Sequence, residues 1–341
     1  MTQKMKVGTW LPNFGYEDDD GIDHAERLKH WIVRSEELGL DSIFVTDHML
    51  RARNMYARTW LEPMTSLAYA AAVTSQALLG PGVLLLPLRN PVLLAKECVS
   101  LQKLSNGRFV LGAGTGWYGE EFEAVGTKKS ERGRRTDEVL EIVVRLAAGE
   151  TLTYNGKFYQ INEVQIEPSP VNLPIWIGGG SQAAHKDSVE KPIMHPNVAR
   201  RIAKYADAWF TRPTALAHQI VDDWQQLKPY FEEIGRDQSE TEIVHGQLIH
   251  LTEENDHDRA VEIQHEVAKD VLGTGRSRDL LEETYMFGTI DEIAANLRQR
   301  AEAGITHIIF HPWTDDPQQI ELWGRELIPR VREIETCEPP L

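Results

Sequence analysis

Residues 104–126 read LSNGRFVLGAGTGWYGEEFEAVG, and how this stretch is taken decides the fold. It opens as the end of a helix at Leu104, stops at Gly107, and continues into a short apolar strand, Phe109 to Leu111. A ladder of glycines follows at Gly112, Gly114, Gly116 and Gly119. A strand that ends in glycines brings bare backbone close to whatever lies beyond its carboxyl end, the edge where α/β proteins bind ligands. Gly114-Thr115-Gly116-Trp117-Tyr118-Gly119 is also a literal G-x-G-x-x-G, the fingerprint of a dinucleotide-binding turn. That turn needs a full helix and a second parallel strand within a ~30-residue unit. Here only a stub, Glu120 to Ala124, stands before Gly126, and three strand–helix units already precede it. The stretch is therefore one unit of a longer alternation.

Upstream, Met5 to Leu11 reads as a first strand and Ile22 to Leu38 as a helix with Leu28, Trp31, Ile32 and Leu38 on one face and Gly39 as its stop. Asp41 to Thr46 is a second strand, closed by Asp47-His48. An alanine-rich helix, Leu61 to Thr74, leads to a third strand, Gly82 to Leu86, whose unbroken apolar run is the pattern of a strand covered on both faces. A helix then runs to Leu104. Downstream, Arg132 to Ala147 reads as a helix and Tyr154-Asn155-Gly156-Lys157-Phe158-Tyr159 as an antiparallel hairpin. Pro174 to Ile177, Asp207 to Thr211, Glu242 to Leu251 and Thr306 to Phe310 supply the remaining strands, with Gln318 to Val331 as a closing helix. Eight alternations with strands buried on both faces predict an α/β protein, a (β/α)₈ barrel with insertions. The expected organisation is one domain over 1–341, carrying a hairpin insertion near 151–162 and loop insertions near 182–197 and 271–287.

With 341 residues and a net charge of -16, the chain lacks the basic stripe that a nucleic-acid partner requires. The opening MTQKMKVGTW has no apolar signal core, and no run nears the ~18 apolar residues of a membrane span. The two cysteines, Cys98 and Cys337, are far apart and form no C-x-x-C, so reduced thiols and a cytoplasmic location are expected. No H-E-x-x-H, paired cysteines or G-x-S-x-G marks a metal site or a nucleophile elbow.

Several segments, in order along the chain, together resemble the bacterial luciferase-like flavin oxidoreductases, a family of flavin monooxygenases and F420-dependent enzymes. They are VTDHM (45–49), LLLPLRNPVLLAK (84–96), the 104–126 stretch, ERGRRTDEVLEIV (131–143), TYNGKFY (153–159) and LPIWIGGGS (173–181). The resemblance implies a barrel that holds a flavin or deazaflavin ring at the carboxyl ends of its strands, pairs as a homodimer and acts on a small-molecule substrate. It implies as cofactor reduced FMN supplied by a separate reductase, with F420 as the alternative. A flavin-binding barrel without turnover is the alternative from another class. One departure is the segment QAAHKDSVEKPIMHPN after Ser181, where relatives run from the glycines straight into a helix.

The same resemblance assigns site residues. His48, at the end of the second strand, is the expected catalytic residue, because an imidazole there can give or take a proton at the substrate. Asp47 beside it, Leu86 and Pro87, and Gly114, Thr115, Gly116 and Trp117 are expected around the ring; Trp117 reads equally as core. Gly178, Gly179, Gly180 and Ser181 offer backbone N–H groups and a hydroxyl to a phosphate, and a tight turn is the competing account of the same glycines. His311, at the end of the eighth strand, is placed toward the substrate. Arg51, Arg53 and Arg58 are available for an acidic cofactor tail. Glu120 and Glu121 need no role beyond favouring a helix dipole.

Overall fold

The computed structural model describes residues 3–16, 21–52, 58–181, 193–273 and 275–337. Its centre is a parallel barrel. The strands are β1 (Lys6–Trp10), β2 (Ser42–Val45), β3 (Leu78–Pro81, resumed at Leu84–Leu85), β4 (Leu111–Gly114), β5 (Ile175–Gly178), β6 (Ala208–Thr211), β7 (Glu242–Ile249) and β8 (His307–Pro312). Starting from the first segment of β3, the order of neighbours is β3, β2, β1, β8, β7, β6, β5, β4 and then the second segment of β3. The two ends of the sheet are thus halves of one interrupted strand. Leu79 N donates to Arg108 O at 2.9 Å and Val110 N donates to Leu79 O at 2.8 Å, which draws the seam together.

Helices α1 (His24–Glu37), α2 (Pro63–Val73), α3 (Pro91–Leu104), α4 (Gly119–Ala124), α5 (Arg132–Ala147), α6 (Pro196–Tyr205), α7 (Ala217–Ile234), α8 (His257–Leu272), α9 (Arg278–Thr284) and α10 (Ile290–Glu302) accompany the strands. Side-chain caps set several of their starts: Asp23 accepts from Glu26 N, and Asn90 accepts from Val92 N and Leu93 N just before Pro91. Leu28, Trp31 and Ile32 on α1 and Leu94, Cys98 and Val99 on α3 join one core between barrel and helices. Cys98 is a buried free thiol and Cys337 an exposed one.

The barrel interior is filled mainly by rings. Trp10, Phe44, Trp176 and Phe210 pack with Val110, Val244 and Ile309; Phe44 and Trp176 stack at 4.9 Å and Trp10 meets Phe210 edge-on at 5.4 Å. Gly246 makes this possible, since a Cβ there would stand 2.1 Å from the Trp10 ring. Toward the amino ends of the strands, His307 Nε2 and Ser42 Oγ meet at 2.8 Å. A barrel packed in this way is a core and not a pore, so the open space lies at the carboxyl ends.

Three expectations are corrected. The third strand begins at Leu78, earlier than Gly82, and is interrupted at Gly82–Val83, where the peptide is cis. The fourth runs Leu111–Gly114, with Phe109 making only an isolated bridge, so Gly112 and Gly114 lie inside the strand and not after it. The 271–287 break contains α9, capped by Ser277, whose Leu281 packs with Leu248, Val271 and Trp313 in a side core. The hairpin is present as Leu152–Asn155 paired antiparallel with Gln160–Val164. Within 182–197, residues 182–192 lie outside the described residues, and α6 starts at Pro196. No helix among the described residues is long and apolar enough to cross a membrane.

Candidate active site

All eight strands end at one cavity of about 1100 Å³. The interruption in β3 shapes its mouth. A Cβ at Gly112 would stand 1.9 Å from the Pro81 carbonyl oxygen, one at Gly114 2.2 Å from Val83 Cγ2, and one at Gly178 2.8 Å from Val83 Cγ1. Gly112, Gly114 and Gly178 thus make room for the chain joining the two halves of β3, and Gly114 and Gly178 also line the cavity. Gly116 differs: its φ of +72° needs glycine for the turn into the loop before α4.

His48 lines the cavity with Trp60 and Trp117, each ring centroid 5.5 Å from the imidazole. Trp117 is 38% exposed, so it is a wall of the cavity and not core. Behind His48 lies Glu121, fully buried on α4. Its Oε1 accepts from Met49 N at 2.7 Å and Leu50 N at 3.3 Å and lies 3.3 Å from His48 Nδ1. The dipole account of Glu121 is thereby corrected: this carboxylate holds the loop that carries His48.

Asp47 also borders the cavity, but its carboxylate faces the β3 end, accepting from Leu85 N at 2.8 Å and Arg89 Nη2 at 3.2 Å. Burial pushes this carboxyl up, with the Arg89 guanidinium opposing. Leu86 and Pro87 are buried in the turn after β3 and do not line the cavity; Leu85 does. His311 lies within β8, 5.4 Å from Trp10 and parallel to Phe14. Its Nδ1 donates to Pro312 O at 2.9 Å, so its Nε2 accepts from the Thr46 hydroxyl at 3.2 Å. Burial lowers its pKa to about 4, which keeps this ring neutral at pH 7.

At the far wall, Gly178, Gly179 and Gly180 line the cavity and Ser181 is buried behind them. Gly179 N donates to Phe210 O at 3.1 Å and Ser181 N donates to Asp223 Oδ2 at 2.8 Å, so both backbone donors are engaged within the protein. Charge there comes from arginines instead. Arg132, Arg134, Arg201 and Arg212 border the cavity. Arg201 is tied to Asp137 and Gly133. Arg212, beside Gly180, keeps buried Nε and Nη2 without partners. Two orphaned guanidinium donors fit an anionic oxygen. Of the arginines expected after His48, Arg58 lies over Phe14 at 6.0 Å, neither it nor Arg51 lines the cavity, and Arg53 lies outside the described residues.

Sequence reasoning missed Glu121, Trp60, Arg132, Arg134 and Arg212. The one signal available for Arg212 was its place directly after a strand, in DAWFTR.

A family model described as luciferase-like monooxygenase matches residues 5–191. The chain is 34% identical over 156 residues to an uncharacterized protein of Mycobacterium tuberculosis, a match spanning 46% of this chain and 49% of that one. It is 24% identical to an F420-dependent glucose-6-phosphate dehydrogenase of Amycolatopsis mediterranei, covering 90% of this chain and 95% of the relative. It is 23% identical to an FMNH(2)-dependent dimethylsulfone monooxygenase of Pseudomonas fluorescens, covering 98% and 96%. A solved structure of an F420-dependent secondary alcohol dehydrogenase with an F420–acetone adduct superposes with a TM-score of 0.78 at 18% identity, over 97% of this chain and 100% of that one.

Proposed function

The chain belongs to the luciferase-like monooxygenase family, and from that premise we propose that it is an F420-dependent oxidoreductase acting on a small alcohol or carbonyl substrate. The observation that carries the choice of cofactor is the arginine wall. Arg132, Arg134 and Arg212 all line the cavity, and Arg212 has two buried donors without partners. That much positive charge matches a polyanionic cofactor better than a single phosphate monoester. Its expected place runs from the arginines past Gly178–Gly180 to Val83 and Trp117, ending beside His48.

When bound, a deazaflavin supplies two-electron hydride chemistry. The protein supplies the rest. Trp60 and Trp117 flank His48 and limit water at the reacting carbon. His48 takes the hydroxyl proton as an alcohol is oxidised, or returns it as a carbonyl is reduced. Thr46 and neutral His311 give the floor two polar groups that orient the substrate.

A second reading, a reduced-FMN monooxygenase, is favoured by the same aromatic enclosure, since excluding water suppresses side reactions of reduced flavin. Mixing the protein with oxidised F420 and small alcohols, with reduced F420 and small aldehydes and ketones, or with reduced FMN under oxygen and the whole panel tests the choice by cofactor absorbance. Oxygen-independent consumption of F420 is expected. Substrate-dependent, oxygen-dependent turnover with FMN alone would overturn the F420 reading in favour of the second.

A further inference from the structure

The carboxylate of Glu121 is fully buried, yet one of its oxygens gathers donors from a single neighbouring loop. Met49 N and Leu50 N both point at Oε1, and His48 Nδ1 lies 3.3 Å from the same atom. A carboxylate oxygen that already accepts two backbone N–H groups acts as an acceptor toward the ring as well. That arrangement requires the proton on Nδ1. The second oxygen, Oε2, is buried without a hydrogen-bond partner, so the contacts of this carboxylate all run through Oε1 to the 48–50 loop.

The elements involved make the contact structurally determined. Glu121 stands in the first turn of α4, directly after the Gly114–Gly119 loop that lines the cavity. His48 stands on the loop after β2. The carboxylate thus joins the two loops that flank the reacting end of the cavity. Asp47, next to His48 in sequence, is already committed to Arg89 and Leu85 N.

We propose that Glu121 is a positioning residue for His48: it holds the ring proton on Nδ1, so that in the neutral ring Nε2 carries the lone pair, and it fixes the 48–50 loop. This rests on the oxidoreductase reading for its catalytic consequence but not for its geometry. Glu121 itself does not line the cavity, so it acts through His48 and not on the substrate.

The test compares Glu121→Gln, whose amide oxygen can keep all three contacts without the charge, with Glu121→Ala, which removes them. Ring ¹⁵N spectra of the full-length protein, with His48→Gln used to assign the signal, report which nitrogen of His48 carries the proton. Wild type and Glu121→Gln should show the Nδ1–H form and Glu121→Ala should lose it. In turnover, Glu121→Ala should lower kcat by about 10² with little change in cofactor affinity, and Glu121→Gln should recover at least tenfold of that loss. An Nε2–H ring in wild type, or equal kcat in all three proteins, overturns the proposal. If Glu121→Ala does not fold, the wild-type tautomer and the Glu121→Gln rate decide it. Absence of turnover in wild type with either cofactor would count against the oxidoreductase reading alone, because the ring spectra still test the Glu121 contact.

Discussion

Replacing Gly114 by alanine puts the reading of the glycine ladder to a quantitative test. The new Cβ would stand 2.2 Å from Val83 Cγ2 and 3.3 Å from Val83 Cβ, where carbon atoms prefer about 3.5–4.0 Å. Val83 has little freedom to turn away. It is stiff at χ1, and its other methyl lies 2.8 Å from where a Cβ on Gly178 would be. A shift of β3 relative to β4 would have to break the pairing of Leu84 and Leu85 with Ala113 and Gly114. Overpacking of this kind costs about 1–3 kcal/mol, and two strands held from both sides place Gly114→Ala near the top of that range. Val83→Ala removes the obstructing methyls. In a double-mutant cycle the pair should therefore recover about 2 kcal/mol relative to the sum of the single changes. Gly112→Ala serves as the control: its obstacle is the Pro81 carbonyl oxygen at 1.9 Å, which Val83→Ala leaves in place, so no recovery is expected. Urea unfolding measures wild type, the three single variants and the two double variants. A Gly114→Ala protein as stable as wild type, or a loss that Val83→Ala does not relieve, would refute the claim that these glycines exist to receive β3.

His48→Ala should leave cofactor affinity near that of wild type, because the proposed anchor for the cofactor is arginines such as Arg212 and not His48, and should lower turnover by about 10² to 10⁴ in steady-state assays; wild-type turnover would remove His48 from the chemistry. Stability should also depend on acid pH. The His311 pKa is lowered from 6.5 to about 4 and that of His307 to about 3. The unfolded chain then takes up these protons as pH falls through about 6.5 while the folded protein refuses them. The stability is full above that pH and is lost downward, by about 3 kcal/mol for His311 by pH 4. Urea unfolding from pH 8 to pH 4 should show the decline, His311→Gln should make it shallower, and constant stability over that range would contradict it.

The barrel was legible because strands covered on both faces leave apolar runs, and because glycines such as Gly39 mark where a helix stops. What the sequence obscured was local. GVLLL (82–86) reads as one strand, yet the strand begins at Leu78 and is interrupted at Gly82–Val83, and the glycines across on β4 and β5 register the consequence. Those glycines were read toward a ligand because a missing side chain looks the same whether a cofactor or another strand fills the space. His48 was legible from its place after a strand. Its partner Glu121 was not, since it lies 73 residues away and its first-turn position already had an adequate account. In the same way, Gly179 and Ser181 promised backbone donors that the fold engages with Phe210 and Asp223, while the buried donors without partners belong to Arg212, just after the next strand.

The central claim, that this cavity holds a polyanionic deazaflavin against an arginine wall, is tested most directly by calorimetric titration of the purified protein with F420 and with FMN, repeated for Arg212→Ala. Saturable binding that favours F420 and weakens by at least about tenfold in the variant, equivalent to ~1.4 kcal/mol, is the expected result. Tighter binding of FMN, or F420 binding that Arg212→Ala leaves unchanged, would contradict it.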